Sequence, residues 1–192
     1  KNFGQKCQEI VLRSSTKYSQ VNLYFQDESR FGLFTRNGKA LTAKGIKPIC
    51  PFHQVFKTLY LFGAFSPITG EHFLLEMPNC NADNFQVFID EFSKHNENVF
   101  NIMVLDNGAF HKAKSLNIPD NVALLFLPPY SPELNPAENM WEIFKRKFTN
   151  KLHRTLDEVS DFITVELSKI TAQSIKKTCG FNYIFSNINW TN

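Results

Sequence analysis

The sequence predicts an α/β domain: a mixed five-stranded sheet with helices on its faces. Three observations carry that expectation. Segments before residue 80 alternate apolar and polar positions and are rich in β-forming side chains. From residue 82 the apolar spacing switches to a helical period. Strands and helices then alternate, as they do when parallel strands are joined by crossovers.

In chain order, residues 1–20 read as a lead-in, the tail of a helix belonging to an upstream DNA-binding segment, and residues 21–192 as the domain itself. VNLYFQD (21–27) alternates and reads as a strand ending at Asp27. Residues 28–48 are basic and punctuated by glycine, a second strand or a loop. FKTLYLFGAFSP and GEHFLLEMP are strands joined by the hairpin signal SPITG. In residues 81–98, Phe85, Phe88, Ile89 and Phe92 form an apolar helical stripe. VFNIMVLDNG returns to a buried strand, a polar connection with a short helix follows, and VALLFLPP is the fifth strand. A helix is expected over 136–153, with Trp141, Phe144, Phe148 and Leu152 buried. A capping box of Thr155 and Glu158 opens the last long helix, with Val159, Phe162, Ile163, Leu167 and Ile170 inward. Ribonuclease H-like domains have this order of elements, and so do some other α/β folds.

At 192 residues the chain can bury a sizeable core as one domain. Its net charge of +3 is too small to announce a nucleic-acid partner, but the distribution is uneven. Residues 141–154 carry Lys145, Arg146, Lys147, Lys151 and Arg154 against one glutamate, either a solvated helix face or a basic stripe. The scattered cysteines (Cys7, Cys50, Cys80, Cys179) point to reduced thiols in an intracellular protein. No apolar run approaches the ~18 residues of a membrane span, and no signal peptide is legible, so a membrane is not an expected partner.

Three carboxylates stand out. Asp27 ends the stripe Val21, Leu23, Phe25, and Asp106 ends the stripe Phe100, Ile102, Val104. If the first and fourth strands are parallel neighbours, both lie at the sheet lip where α/β proteins place ligands. Paired carboxylates require a proton or a cation between them, and Mg²⁺ is the natural occupant. Downstream, Asn135, Pro136 and Glu138 suit N-cap, N1 and N3 of a helix, so Glu138 can close a capping box. It also borders the buried stripe, whereas Glu133 precedes the helix and Glu142 turns outward.

On these residues, YFQDESRFGL, VLDNGAFHKA and LFLPPYSPELNPAENMWEIFKRK, the chain resembles DDE transposases of the mariner-like superfamily, in its bacterial insertion-sequence branch. The resemblance spans roughly residues 21–152. It implies a ribonuclease H-like fold with Asp27, Asp106 and Glu138 as catalytic and metal-binding residues. It also implies two Mg²⁺ ions, with Mn²⁺ as a substitute. Asn107 and His111 match the DN…H pattern of that family and, with Asn135, take supporting roles. Lys145, Arg146, Lys147, Lys151 and Arg154 would bind DNA. Transposon ends and target DNA are the implied partners, with a homodimer in the DNA complex. The implied location is the bacterial cytoplasm at the nucleoid, or the nucleus of a eukaryotic host.

Two departures stand beside the resemblance. Only 31 residues separate Asp106 from Glu138, fewer than is usual in the family. The helix-turn-helix region that reads transposon ends is not in this sequence, so a catalytic domain, one frame of a split element or a truncated copy is expected. The alternatives are a ribonuclease H-like nuclease or an inactive DNA-binding relic. A zinc-stabilised module using Cys50 and His53, supplemented by Cys80 or His72, is a third, resting on one C-x₂-H spacing.

Overall fold

The computed structural model describes residues 3–14, 17–36, 38–39, 41–49 and 52–185. Five strands form one sheet in the order β3-β2-β1-β4-β5. They are β1 (Val21–Gly32), β2 (Thr58–Phe65), β3 (His72–Met77), β4 (Phe100–Leu105) and β5 (Val122–Phe126). β1 to β3 are antiparallel neighbours, while β4 lies parallel to both β1 and β5. The expected mixed sheet is therefore present, and the first and fourth strands are parallel neighbours. The SPITG hairpin closes with the Ser66 amide on the Glu71 carbonyl, and Gly70 takes the positive φ of 78° that the turn needs.

The helices are α1 (Phe3–Ser14), α2 (Ala82–His95), α3 (Ala137–Phe148), α4 (Leu156–Leu167), α5 (Ala172–Cys179) and α6 (Asn182–Phe185). Alternation along β1 sends Leu23, Phe25 and Phe31 to one face, where they meet Cys7 of α1, Trp141 and Phe144 of α3, Val159 of α4 and Ile175 of α5. Tyr24 faces the other way, into a second core with the α2 stripe of Phe85, Phe88, Ile89 and Phe92. The lead-in segment is thus a helix packed into the first core, with Phe3 lying over Phe25 and edge-on to Tyr183.

Three boundaries differ from expectation. β1 does not end at Asp27 but runs five residues further, paired antiparallel with β2 out to Gly32 opposite Thr58. The charged Asp27-Glu28 pair interrupts the apolar alternation, yet the hydrogen-bond ladder to β2 continues and Phe31 stays buried. α3 stops at Phe148 rather than residue 153, because Thr149 turns extended and Asn150 adopts φ 62°. Leu152 is consequently exposed, while His153 stacks on Phe148 at 4.7 Å. The last long helix breaks after Leu167 into α4 and α5, leaving Ile170 in the connection. Its capping box is half formed: Thr155 accepts the Glu158 amide, but the Glu158 carboxylate takes the amide of Arg154.

Candidate active site

Asp27 occupies an unusual position. Parallel pairing between β1 and β4 ends at Phe25 opposite Val104, whereas β1 continues against β2. Asp27 therefore projects from an unbroken strand just beyond the point where its parallel neighbour has stopped. Asp106 is the first residue after β4, so the two aspartates share one lip of the sheet.

Glu138 reaches that lip from above. α3 lies close to the sheet because Gly63, paired directly with Asp27, has no side chain. A Cβ there would come within 2.7 Å of the Trp141 ring. The start of α3 is tied to β1 by Asn135, whose side-chain amide donates to the Gln26 carbonyl at 3.0 Å. The Asn135 side-chain oxygen accepts the Ala137 amide at 3.1 Å, and its own backbone amide goes to the Pro132 carbonyl. That last bond removes the capping-box partner expected for Glu138. The helix begins at Ala137, and the Glu138 carboxylate stays exposed toward the lip.

The electrostatics show which groups have been gathered. Burial raises the Asp27 pKa well above the usual carboxylate range, and the charges of Glu138, Glu28 and Asp106 push it further the same way. Asp106 moves in the opposite direction. A hydrogen bond from His111 holds its pKa down against partial burial, helped by the Gly108 amide. Both bonds, each 2.8 Å, fall on Oδ1 of Asp106, and among the described residues none is bonded to its other oxygen.

His111 is buried between the rings of Phe85 and Phe110. Its second nitrogen meets Oε1 of Glu28 at 3.0 Å. Burial alone would pull its pKa down, but the bonds to Asp106 and Glu28 outweigh that and lift it to about 9. At neutral pH it is an imidazolium held between two carboxylates. Glu28 also accepts from the buried Gln26 side chain at 2.6 Å. Sequence reading missed Glu28; the signal was its place beside Asp27 on the opposite face of the strand. Asn107 donates to the Leu127 carbonyl at 2.6 Å, stapling the exits of β4 and β5, and it accepts from Lys112. Asn107, His111 and Asn135, singled out from the sequence, thus each hydrogen-bond to a group on another segment of the chain.

Among the described residues, no three His, Cys, Asp or Glu side chains form a ready-made metal cage. What the lip offers is an all-oxygen set with like charges drawn onto Asp27. That set fits Mg²⁺, which binds through one or two carboxylates and keeps several of its waters. Zinc is poorly served. Cys50 lies outside the described residues, and Nδ1 of His53 is engaged by the His153 carbonyl. His72 starts β3, whereas Cys80 follows its far end.

Of the basic residues, Lys147 is bound to Glu166 at 2.6 Å and Lys151 sits 4.4 Å from the Phe162 ring centre. Arg146 and Arg154 are exposed and Lys145 is half-buried. No helix among the described residues is long and apolar enough to cross a membrane.

Residues 22–161 match the family described as DDE superfamily endonuclease. A curated relative, the uncharacterized protein y4pE/y4sA of Sinorhizobium fredii, is 31% identical over 119 residues, covering 61% of this chain and 88% of that protein. In structure, the chain is similar to Mos1 transposase in a paired-end complex with the left transposon end: TM-score 0.65, 14% identity, 92% of this chain covered. The catalytic domain of Mos1 mariner transposase aligns at TM-score 0.58 and 14% identity over 91% of this chain and 83% of that one. A mariner Mos1 paired-end complex with Mg aligns at TM-score 0.64 and 15% identity, over 91% and 56%. At these identities the likeness is one of fold, and it identifies the ribonuclease H-like architecture. The chain spans 56% of the Mos1 chain in the left-end complex.

Proposed function

Because the chain belongs to the DDE superfamily endonuclease family, we propose that it is the catalytic domain of a DNA transposase, cutting DNA strands and joining them elsewhere. The domain would run over residues 21–192, with α1 packed against it. The observation that carries the reading is the set of like charges converging on Asp27 where β1 outruns β4.

Asp27, Asp106 and Glu138 would hold divalent cations, Mg²⁺ or Mn²⁺, two per site. Bound there, the metal would activate a water or a DNA 3′-hydroxyl and stabilise the leaving oxygen of an in-line displacement at phosphorus. Asp27, its own charge disfavoured by burial, would exchange a proton for that ion. Asp106 would present its free oxygen, with the other locked by His111 and Gly108. Asn135 would keep Glu138 in range by tying α3 to the backbone beside Asp27. Asn107 would hold the β4 exit rigid. Lys145, Arg146, Lys151 and Arg154 would follow the DNA backbone, an attraction that weakens with salt. Lys147 would contribute less, since its ammonium is held in an ion pair by Glu166. A homodimer on paired transposon ends, acting at the bacterial nucleoid, belongs to the same reading.

The test is Asp27→Asn with Mg²⁺ and transposon-end DNA. Nicking and joining should vanish while DNA retention on a gel is unchanged; undiminished cleavage would overturn the assignment. Cut but never joined products would reduce the activity to that of a nuclease.

A further inference from the structure

A second site lies beyond the carboxylates. Three phenylalanines of the segment linking β1 to β2 stand in solvent: Phe34 is 43% exposed, Phe52 54% and Phe56 75%. They are not scattered. Phe34 stacks on Phe56 at 5.3 Å and meets Phe52 edge-on at 5.4 Å. Together they wall a groove of about 730 Å³, floored in part by Phe31 and Phe148 and rimmed by Arg30, Arg36 and Lys145. No acidic side chain lines it among the described residues.

Clustered exposed aromatics mark a binding surface. Aromatic faces combined with a cationic rim suit one ligand class above others: an unstacked base with its phosphates.

Position agrees with charge. Arg30 is three residues beyond Asp27 on β1, about 10 Å at strand rise and on the opposite face, along the edge left open where β4 has ended. Lys145 is seven residues beyond Glu138 on α3, about 10 Å along the axis and almost on the same side of the helix. Both elements that supply catalytic carboxylates therefore continue into the groove.

We infer that this groove binds a single-stranded segment of the DNA engaged by the carboxylates, stacking an unpaired base among Phe34, Phe52 and Phe56 and holding its phosphates with Arg30, Arg36 and Lys145. The inference rests on the strand-transfer reading of the carboxylate site. It adds a place for DNA whose bases are no longer paired.

The experiment uses the full chain and a short DNA single strand carrying one 2-aminopurine, with the matching duplex as control. Anisotropy reports affinity, and 2-aminopurine quenching reports stacking. Phe56→Ala and Phe34→Leu should each weaken single-strand binding about tenfold and abolish the quenching, with little effect on duplex binding. Arg30→Gln should instead flatten the salt dependence of single-strand binding, by about 0.7 in log–log slope. Because Phe34 and Phe56 are already exposed, thermal melting should show both variants folded, and Phe56→Leu serves if Phe56→Ala is not. Unchanged affinity and quenching in folded phenylalanine variants would overturn the inference. So would a wild-type dimer that Phe56→Ala converts to monomer without loss of single-strand binding, because the face would then join two copies. Mg²⁺-dependent cleavage by the wild type, run in parallel, keeps the two readings apart. Stacking without cleavage removes only the transposase reading, and cleavage without stacking removes only the groove.

Discussion

Asp27 lies on β1 and Asp106 just past the end of β4, and their pKa values shift in opposite directions: burial and nearby carboxylates raise the first, and the bond from His111 lowers the second. The raised pKa of Asp27 means the folded state binds its proton more tightly than the unfolded state does. Its stability penalty is therefore absent at acid pH and grows as pH rises from about 4 through the folded value. Asp27→Asn should raise the melting temperature in metal-free buffer at neutral pH, by about 2–4 °C for each ~1 kcal/mol of relieved strain. The gain should disappear near pH 4. If a cation replaces that proton, as the proposed function requires, Mg²⁺ should raise the wild-type melting temperature more at pH 8 than at pH 5.5, and should not stabilise Asp27→Asn. His111 has the opposite linkage: its raised pKa stabilises the fold fully below about 6.5, and that contribution fades as pH rises through about 9. His111→Ala leaves Glu28 largely buried with only Gln26 as partner, a loss of about 3–5 kcal/mol at pH 6. Urea denaturation of both proteins should show the difference shrinking by pH 10.

At the scale of elements, the site depends on how closely α3 approaches the sheet. Gly63 permits the contact, so Gly63→Ala should destabilise by about 1–3 kcal/mol and lower cleavage by lifting Glu138 away from Asp27. Trp141→Leu makes room for the added methyl, so the double variant should lose less than the sum of the single variants. The other end of α3 is clamped by Glu166 of α4, which accepts from Lys147 and Lys169 at 2.6 Å each. Those bonds hold the Glu166 pKa down to about 2. A depressed carboxylate pKa stabilises above the unfolded value of about 4.5, and the contribution is lost as pH falls toward 2. Glu166→Gln should therefore destabilise at pH 7 and matter little at pH 2, as thermal melts at the two values would show. α5 adds a buttress, with the Cys179 thiol donating to the Pro136 carbonyl at 3.7 Å. The sequence announced α3 clearly, through Asn135-Pro136 and the aromatic stripe. Its early end and the α4–α5 break were not legible, because no glycine or proline marks either.

For the molecule as a whole, a net charge of +3 conceals an uneven surface. Neutralising exposed Arg146 together with Arg154 should lower the slope of log affinity for duplex DNA against log salt by about 2, measured by anisotropy. Lys147→Gln should change that slope less and should instead lower stability, because its ammonium is held by Glu166. The two outcomes separate a DNA-facing cation from a structural one. The sequence, in which they are adjacent lysine and arginine, does not.

The sequence by itself determined the mixed sheet and the order of its strands and of the helices up to α3, since strand period and helix period are local properties. Tertiary structure alone decided what surrounds the three carboxylates. Glu28 becomes part of the site only because His111, 83 positions later in the chain, is folded against it. Asp27 becomes hard to ionise because the fold buries it and gathers Glu138, Glu28 and Asp106 around it. Phe34 meets Phe52 and Phe56, about twenty positions later in the chain, in one solvent-exposed cluster. Burial and charge act through space, so the energetic state of each carboxylate had no signature along the chain.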